Sequence, residues 1–312
     1  MGPDARPAAA HVSLAAVVVV WAGAFTAIKA LLDGGTSAED VAVLRYLVAA
    51  PGFAALLLLA RGLPGLGRAD VLRIGSAGAL VVAGYHLSLN VGARYTTAGT
   101  AALVVALAPS MTLGLSVGLG LERLTARRTA GLAIAFAGVA VVILLGAGEE
   151  LSLEGARGPL IVLGAPLAFA LYNVLLRPLL GRYGVLPLTA ATSLIGTLAL
   201  LPLLRPSTLE GLGSMSGADL ALVLYLGVVC TFLGYVGWNV GLRGLGPTRA
   251  VSYAYGIPPL AVVIGALTLD EPVTAWLVVG GVLVVGGVAL AQRVPRRGVQ
   301  VAATGTASRE PA

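Results

Sequence analysis

The sequence predicts an all-α integral membrane protein with ten transmembrane helices in two inverted-topology repeats of five helices. The first observation is composition: 58% of the 312 residues are hydrophobic and only 11% are charged, with a mean hydropathy of +0.95. The second is that apolar runs of about 18 to 22 residues recur along the chain, as helices crossing a bilayer core of roughly 30 Å require. The third is a duplication at a constant offset of 149 residues, the difference between Asn239 and Asn90.

The apolar runs divide the chain into two halves with equal numbers of spans. The first predicted repeat is 12–147 and the second is 155–292, with an N-terminal tail at 1–11. The C-terminal tail at 293–312 is polar and contains prolines, so we predict that it is disordered. The ten predicted spans are 12–32, 41–60, 71–93, 99–120, 127–146, 157–178, 187–204, 218–240, 250–269 and 274–292.

Charged residues separate according to this topology. Connections after odd-numbered spans carry acids such as Glu39 and Asp219, whereas the other connections and the chain ends carry arginines such as Arg127 and Arg296. Basic residues stay inside during insertion, so we predict a multi-pass protein of the inner (plasma) membrane with both termini cytoplasmic. The basic residues that give the chain its net charge of +6 then form a layer at the cytoplasmic face, next to the lipid headgroups. The lipid bilayer is therefore a predicted partner, and nucleic acid is not.

The duplication extends well beyond the pair N-V-G-A-R at 90–94 and N-V-G-L-R at 239–243. Because each repeat has five spans, an odd number, the second copy enters the membrane upside down relative to the first. The connection at 121–128 is basic and its copy at 270–276 is acidic, which agrees with this inversion. Other residues matched at 149 are Pro109 with Pro258, Glu122 with Glu271, Thr125 with Thr274, Gly131 with Gly280 and Gly138 with Gly287. At an offset of 148, Trp21, Phe25 and Lys29 match Phe169, Asn173 and Arg177.

In these features the chain resembles the drug/metabolite transporter superfamily, and within it the EamA-type permeases with two five-helix repeats. The resemblance rests on W-A-G-A-F-T-A-I-K at 21–29, Arg45, Y-T-T-A-G-T-A-A-L-V-V-A-L-A-P at 95–109 and L-E-R-L-T at 121–125. It implies a small-molecule transporter, often an exporter of amino acids or other metabolites, without fixing the substrate. We expect alternating access around a central cavity.

The alternative function is a membrane-embedded enzyme acting on lipid or isoprenoid substrates. Such an enzyme would need clustered acids, histidines or a nucleophile at one face of the membrane, and the sequence shows no such cluster. The phosphate-binding pattern G-x-x-x-x-G-K-[ST] is absent, and two histidines and one cysteine do not make a metal set. We therefore predict no enzymatic activity, no cofactor and no metal. No feature of the sequence predicts the oligomeric state.

Polar residues inside the spans are the first candidates for contact with a solute, because they are costly in lipid and normally face the bundle interior. Two matched stripes at i, i+4 and i+8 should face each other across a pseudo-two-fold axis. Asn90 and Asn239 either line the solute path or hydrogen-bond between helices. The stripes are His86, Asn90 and Arg94 in the third span, and Tyr235, Asn239 and Arg243 in the eighth, beside Trp238.

His86 is the only histidine well inside a predicted span. A neutral imidazole there binds solute, carries a proton or packs with a hydrogen bond, and the sequence leaves these roles open. No Asp or Glu falls well inside any predicted span. We therefore expect facilitated diffusion, exchange or weak proton coupling through His86.

Lys29 is the only lysine of the chain and lies inside the first span. With Arg45 it is predicted to form a positive pair near one membrane face. Two roles for this pair are open. Glu39 and Asp40 in the adjoining loop neutralise it, or it attracts a carboxylate or phosphate of the substrate through charge-assisted hydrogen bonds.

Pro109 and the pair Pro258 and Pro259 lie near the middle of matched spans, where the missing backbone donor bends a helix. We expect hinges there, with ordinary packing kinks as the alternative. The cavity walls are expected to include aromatic and amide residues, although each of these residues could equally belong to the packed core. These residues are Trp21, Tyr85, Tyr172, Asn173, Trp238, Tyr253 and Tyr255.

Glu122 and Glu271 are predicted to be structural or gate-stabilising residues. Each precedes by three residues a threonine, Thr125 or Thr274, that is predicted to be the N-cap of the fifth or tenth span. Cys230 is predicted to be a buried small hydrophobe. Glycine spacings are predicted to mark close helix packing at Gly114, Gly118, Gly280, Gly286 and Gly287.

Overall fold

The computed structural model describes residues 5–145 and 153–292, and regular structure within them is entirely helical. Ten helices are long and apolar enough to cross a membrane, as predicted. The predicted disordered tail at 293–312 lies outside the described residues, as do 1–4 and 146–152. The spans are α1 Ala8–Asp33, α2 Ala38–Leu59, α3 Arg68–Ala93, α4 Ala98–Gly118, α5 Ala126–Leu145, α6 Gly155–Tyr183, α7 Val185–Leu203, α8 Gly217–Leu245, α9 Arg249–Thr268 and α10 Ala275–Gln292.

The spans form two inverted repeats, α1 to α5 and α6 to α10. We call the side on which α1 begins and α10 ends the terminal face, and the other side the opposite face. Helix α1 lies at the centre of the bundle and packs against α4, α8 and α9, so it joins the two repeats. Serine and threonine caps begin several spans. For example, the Ser37 hydroxyl accepts a hydrogen bond from the Asp40 amide at 3.0 Å at the start of α2.

A seam of glycines holds α5 and α10 together in antiparallel packing. A Cβ atom on Gly131 would lie 2.7 Å from the Gly287 carbonyl oxygen, and one on Gly138 would lie 2.8 Å from the Gly280 carbonyl oxygen. Gly280 and Gly287 are the copies of Gly131 and Gly138 at the offset of 149 residues. The first contact therefore maps onto the second when the repeats are exchanged. This seam lies on the pseudo-two-fold axis of the molecule, and the two backbones touch there because no side chains separate them.

The predicted packing role is wrong for the other glycines. A Cβ atom on Gly114, Gly118 or Gly286 would meet nothing within 4 Å. Spacing in the sequence identifies a smooth helix face, but it does not determine whether another helix lies against that face.

Two further irregularities repeat with the same symmetry. Helix α3 contains a π-helical segment at Ala79–Gly84 and α8 contains one at Tyr225–Leu233, which includes the positions 228–233 that match the first. Helix α4 is divided into α4a, Ala98–Val105, and α4b, Ala108–Gly118. Helix α9 is divided into α9a, Pro247–Ala254, which begins two residues before the apolar span, and α9b, Ile257–Thr268.

The breaks in α4 and α9 lie where the prolines predicted them. The interrupted residues are 106–107 and 255–256, again 149 apart. Pro109 and Pro258 each occupy the second position of the following half-helix, where a missing amide donor is tolerated. Both breaks fall in the middle of their spans, at the depth of the membrane centre.

The glycine seam predicts a difference between two neighbouring residues. Gly287→Ala should lower the melting temperature in detergent, because its Cβ atom would strike the backbone nitrogen of Ala135. Overpacking of this kind costs about 1 to 3 kcal/mol. Gly286→Ala is the matched control, since its Cβ atom enters open space, and it should leave the melting temperature unchanged or slightly raised. Equal melting temperatures for the two variants would contradict the seam.

Candidate functional site

A cavity of about 300 Å³ lies between the repeats at the depth of the two helix breaks. Every span except α5 and α7 contributes to its wall. The wall is largely apolar, and none of the described residues that line it carries a carboxylate. The sequence-predicted residues that line it are Trp21, Arg45, Tyr85, His86, Pro109, Tyr235, Trp238, Tyr255 and Pro258.

Arg45 brings a buried positive charge to this wall. Its side chain is only 7% exposed, and its Nε atom donates a hydrogen bond to the Thr231 hydroxyl at 2.6 Å. Thr231 lies in the π-helical segment of α8 and donates its own proton to the Leu226 carbonyl, five residues earlier, at 2.8 Å. None of the four ion pairs formed by the described residues includes Arg45. Among the residues that the structure describes, the guanidinium is therefore held by a neutral dipole alone.

An aromatic wall surrounds Trp21 on α1. Its indole nitrogen donates a hydrogen bond to the Cys230 carbonyl at 2.9 Å, which is again a backbone group of the π-helical segment. The Trp21 ring lies 5.4 Å from the Trp238 ring and 5.9 Å from the Tyr235 ring, measured between centroids. Such offset and edge contacts add to the stability from burial. The π-helical segment of α8 thus positions both the arginine and the tryptophan.

His86 lies in the same cavity and is 4% exposed. Its Nε2 atom is 2.9 Å from the Tyr46 hydroxyl, while its Nδ1 atom is buried without a hydrogen-bond partner. The Tyr85 ring lies 4.8 Å from the imidazole and 6.2 Å from the Phe169 ring.

Asn90 and Asn239 do not face each other, contrary to expectation, and neither lines the cavity. The Asn90 amide donates to the Ala38 carbonyl at 3.0 Å and ties α3 to α2. The Asn239 amide donates to the Tyr235 carbonyl of its own helix at 2.9 Å. Four residues along a helix amount to about 6 Å. Asn90 follows His86 by four residues, so it lies about 6 Å further along α3, beside Ala38 at the start of α2, and no longer at the depth of the cavity.

Lys29 and Arg45 do not form the expected positive pair. The Lys29 ammonium lies 2.7 Å from the Asp33 carboxylate, one turn further along α1, where a long side chain reaches the membrane surface. Asp40, which was expected to neutralise the pair, accepts a hydrogen bond from the Thr208 hydroxyl at 2.5 Å. Lys29 therefore lies in a second pocket near the opposite face, together with Asp270 and Glu271.

The remaining polar candidates lie outside the central cavity. The Tyr253 hydroxyl is 2.5 Å from the Nδ1 atom of His11 near the terminal face. The Asn173 amide donates to the Thr112 hydroxyl at 3.4 Å and joins α6 to α4. Tyr172 stacks on Phe169 with 5.7 Å between ring centroids. Pro259 belongs to α9b beside the lining residue Pro258.

Some cavity residues were not among the sequence-predicted contacts. Cys230, predicted to be only a packing residue, lines the cavity, and so do Phe25 and Phe169, two of the matched aromatic residues. Thr231 was not predicted because an isolated threonine in an apolar helix gives no signal of its own. A π-helical segment that turns it towards Arg45 has no simple sequence signature.

Glu271 and its copy Glu122 have different partners. The two carboxylate oxygens of Glu271 accept hydrogen bonds from the Ala98 and Gly99 amides at 2.7 and 3.3 Å, which caps α4a. Glu122 forms an ion pair with Arg128 at 3.0 Å. The predicted N-caps are confirmed: the Thr125 hydroxyl accepts from the Arg128 amide, and the Thr274 hydroxyl accepts from the Leu277 amide.

Comparison with known proteins identifies this architecture. The EamA-like transporter family matches the chain twice, over residues 9–144 and 156–292. The chain belongs to the EamA-like transporter family. It is therefore a multi-pass membrane transporter rather than an enzyme.

Several relatives of this EamA-like transporter align over nearly their whole length. An uncharacterized transporter of Archaeoglobus fulgidus is 33% identical over 90% of this chain and 97% of its own. A probable terminal-alkyne amino-acid exporter of Streptantibioticus cattleyicolor is 32% identical over 90% and 92%. A probable amino-acid metabolite efflux pump of Salmonella typhimurium is 29% identical over 87% and 90%. A crystal structure that is 23% identical has the same fold, with a TM-score of 0.61 over 91% of this chain and 95% of its own.

The EamA-like transporter is symmetric in sequence but asymmetric in packing. All residues from Ala98 to Val104 in α4a are buried. In α9a, the copy of α4a, only Ala250 is buried among residues 249–254. Helix α4a packs firmly against α9b, whereas no comparable packing between α9a and α4b occurs in the described part of the chain. The bundle is therefore closed around α4a at the opposite face and looser around α9a at the terminal face.

The Glu271 cap predicts which of the two acids stabilises this conformation. Glu271→Ala should increase the hydrogen-exchange rates of the Ala98 and Gly99 amides about tenfold, because the loss of a helix cap costs about 0.5 to 2 kcal/mol. Glu122→Ala is the matched control and should leave these rates unchanged, since Glu122 contacts Arg128 instead. The same increase in both variants, or in neither, would refute the assignment.

Proposed function

We propose that this chain exports small metabolites such as amino acids or related organic solutes by alternating access, and that the central cavity holds the solute. The observation that carries the proposal is the cavity itself: it lies at mid-membrane, between two inverted repeats, beside the broken helices α4 and α9. Inverted-repeat transporters bind their solutes at this place. The relatives named as an amino-acid exporter and an amino-acid metabolite efflux pump support export of such solutes.

The arginine distribution supports an inner (plasma) membrane location with the terminal face towards the cytoplasm. Arg68, Arg123, Arg128 and Arg182 all lie at that face, and basic residues are retained on the cytoplasmic side. In this orientation the looser end, around α9a, faces the cytoplasm. A cytoplasm-facing conformation is the one in which an exporter takes up its solute.

Exchange of the roles of the two repeats gives the second conformation. Glu122 would leave Arg128 and cap α9a, while Glu271 would release α4a. Pro247 stands in α9a where Ala98 stands in α4a, and proline has no amide proton to donate. The cap on α9a would therefore lack the donor that makes the shortest bond of the Glu271 cap. This difference favours the cytoplasm-facing state in the absence of solute.

Counterflow in proteoliposomes tests the proposal. Purified protein should exchange internal unlabelled solute for external labelled solute, saturably, for at least one member of a panel of amino acids and organic acids. Ala254→Trp should reduce this flux at least tenfold, because Ala254 lines the cavity. Val263→Trp places the same ring on an exposed surface of the same span and should retain the flux. Folded protein without saturable flux for any solute, or equal flux in both variants, would contradict the proposal.

A further inference from the structure

We propose that the solute carries a carboxylate that binds Arg45, that its remaining body is apolar, and that an ammonium group on it is dispensable. This inference rests on the proposed transport function and specifies the chemistry of its solute. It follows from three properties of the cavity as lined by the described residues: an uncompensated cation, the absence of any acid, and a wall of aromatic rings.

The first property is the charge of Arg45. A guanidinium removed from water is costly unless it is paired, and such groups inside membrane proteins normally have a partner. The Thr231 hydroxyl satisfies only the Nε atom. The two terminal nitrogens of the guanidinium form the fork that matches a carboxylate. A bound carboxylate would therefore supply the missing countercharge.

The second property is the lack of a negative countercharge elsewhere in the cavity. No Asp or Glu among the described residues lines it, so an ammonium group of the solute would find no ionic partner in that wall. The Nδ1 atom of His86 is the one buried atom of the described cavity wall without a hydrogen-bond partner. That atom has almost no accessible surface of its own, so it gives an ammonium group in the cavity neither a countercharge nor a contact.

The third property is the shape and chemistry of the wall. Trp21, Tyr235 and Trp238 form one aromatic surface, and Tyr85 and Phe169 form another. A volume of about 300 Å³ is at the lower end for ligand sites. The cavity therefore suits a small acid with an aromatic or branched aliphatic body.

A series of ligands with one phenyl ring tests which charged group is recognised. The four probes are 3-phenylpropanoate, phenylalanine, 2-phenylethylamine and 3-phenylpropan-1-ol, measured as competitors of counterflow and by the melting temperature of the protein in detergent. We expect the two carboxylates to compete within about tenfold of each other. The amine and the alcohol should be at least tenfold weaker, which corresponds to about 1.4 kcal/mol.

Variants then assign this preference to Arg45 rather than to the fold. Arg45→Gln should abolish the advantage of 3-phenylpropanoate over the alcohol. It should not lower the melting temperature of the ligand-free protein, since it removes an uncompensated buried charge. Thr231→Val removes only the neutral partner and should retain the carboxylate preference. Arg177→Gln removes an exposed charge of α6 and should behave like the wild type.

The outcomes separate the two claims. If the amine or the alcohol competes as well as the acid, or if Arg45→Gln keeps the preference, the carboxylate inference is refuted while transport stands. If Thr231→Val loses the preference and stability together with Arg45→Gln, Arg45 is a structural link between α2 and α8, and the inference is refuted. If wild-type protein moves no solute saturably, the transport function itself fails.

Discussion

The antiparallel contact between α5 and α10 is the interaction on which the symmetry of the molecule depends. Each helix presents two glycines, and each glycine touches backbone of the other helix. If either helix were displaced along the seam, a glycine of one helix would face a side chain of the other instead of its backbone, and the two helices could not approach as closely. The contact therefore fixes the register of one repeat against the other. The two-fold relation then places the breaks of α4 and α9, and the π-helical segments of α3 and α8, at matching depths. The cavity forms at that depth because the backbone irregularities of both repeats meet there.

Symmetry of sequence does not require symmetry of conformation. In the structure α4a is buried and capped by Glu271, while α9a is mostly uncovered. The proposed alternating access requires a second conformation in which the two repeats exchange these packing arrangements. Conformations related in this way differ in free energy only through residues that differ between the copies. Two such differences are Pro247 in place of Ala98 and Leu277 in place of Arg128. The second difference changes the ion pairing that is available to each glutamate. A solute shifts the balance only by the difference in its affinity for the two states.

Much of this fold could be predicted from the sequence because duplication and hydropathy are both local to the chain. The constant offset predicted the inverted repeats, the helix breaks before Pro109 and Pro258 and the caps at Thr125 and Thr274. The cavity was only partly predictable. Trp21, Arg45 and His86 line the cavity and were recognisable in the sequence as polar or aromatic residues inside spans. Their contact with a solute stays a prediction, and the predicted pairing of Lys29 with Arg45 was wrong. Lys29 had an acid one turn away on its own helix, and Arg45 depended on Thr231, 186 residues away. Nor could the Glu271 cap be predicted, since it joins 271 to 98 across the bundle.

The central claim is that the repeats open one face as they close the other. Paired spin labels in a Cys230→Ala background test it most directly, with one pair at Arg94 and Thr268 on the opposite face and its symmetry copy at Leu119 and Arg243 on the terminal face. Each partner of the second pair lies 149 residues from its counterpart in the first. We expect a transported solute to shift the two distance distributions in opposite directions. Distances that both stay constant, or that both increase, in protein active for transport would contradict the account.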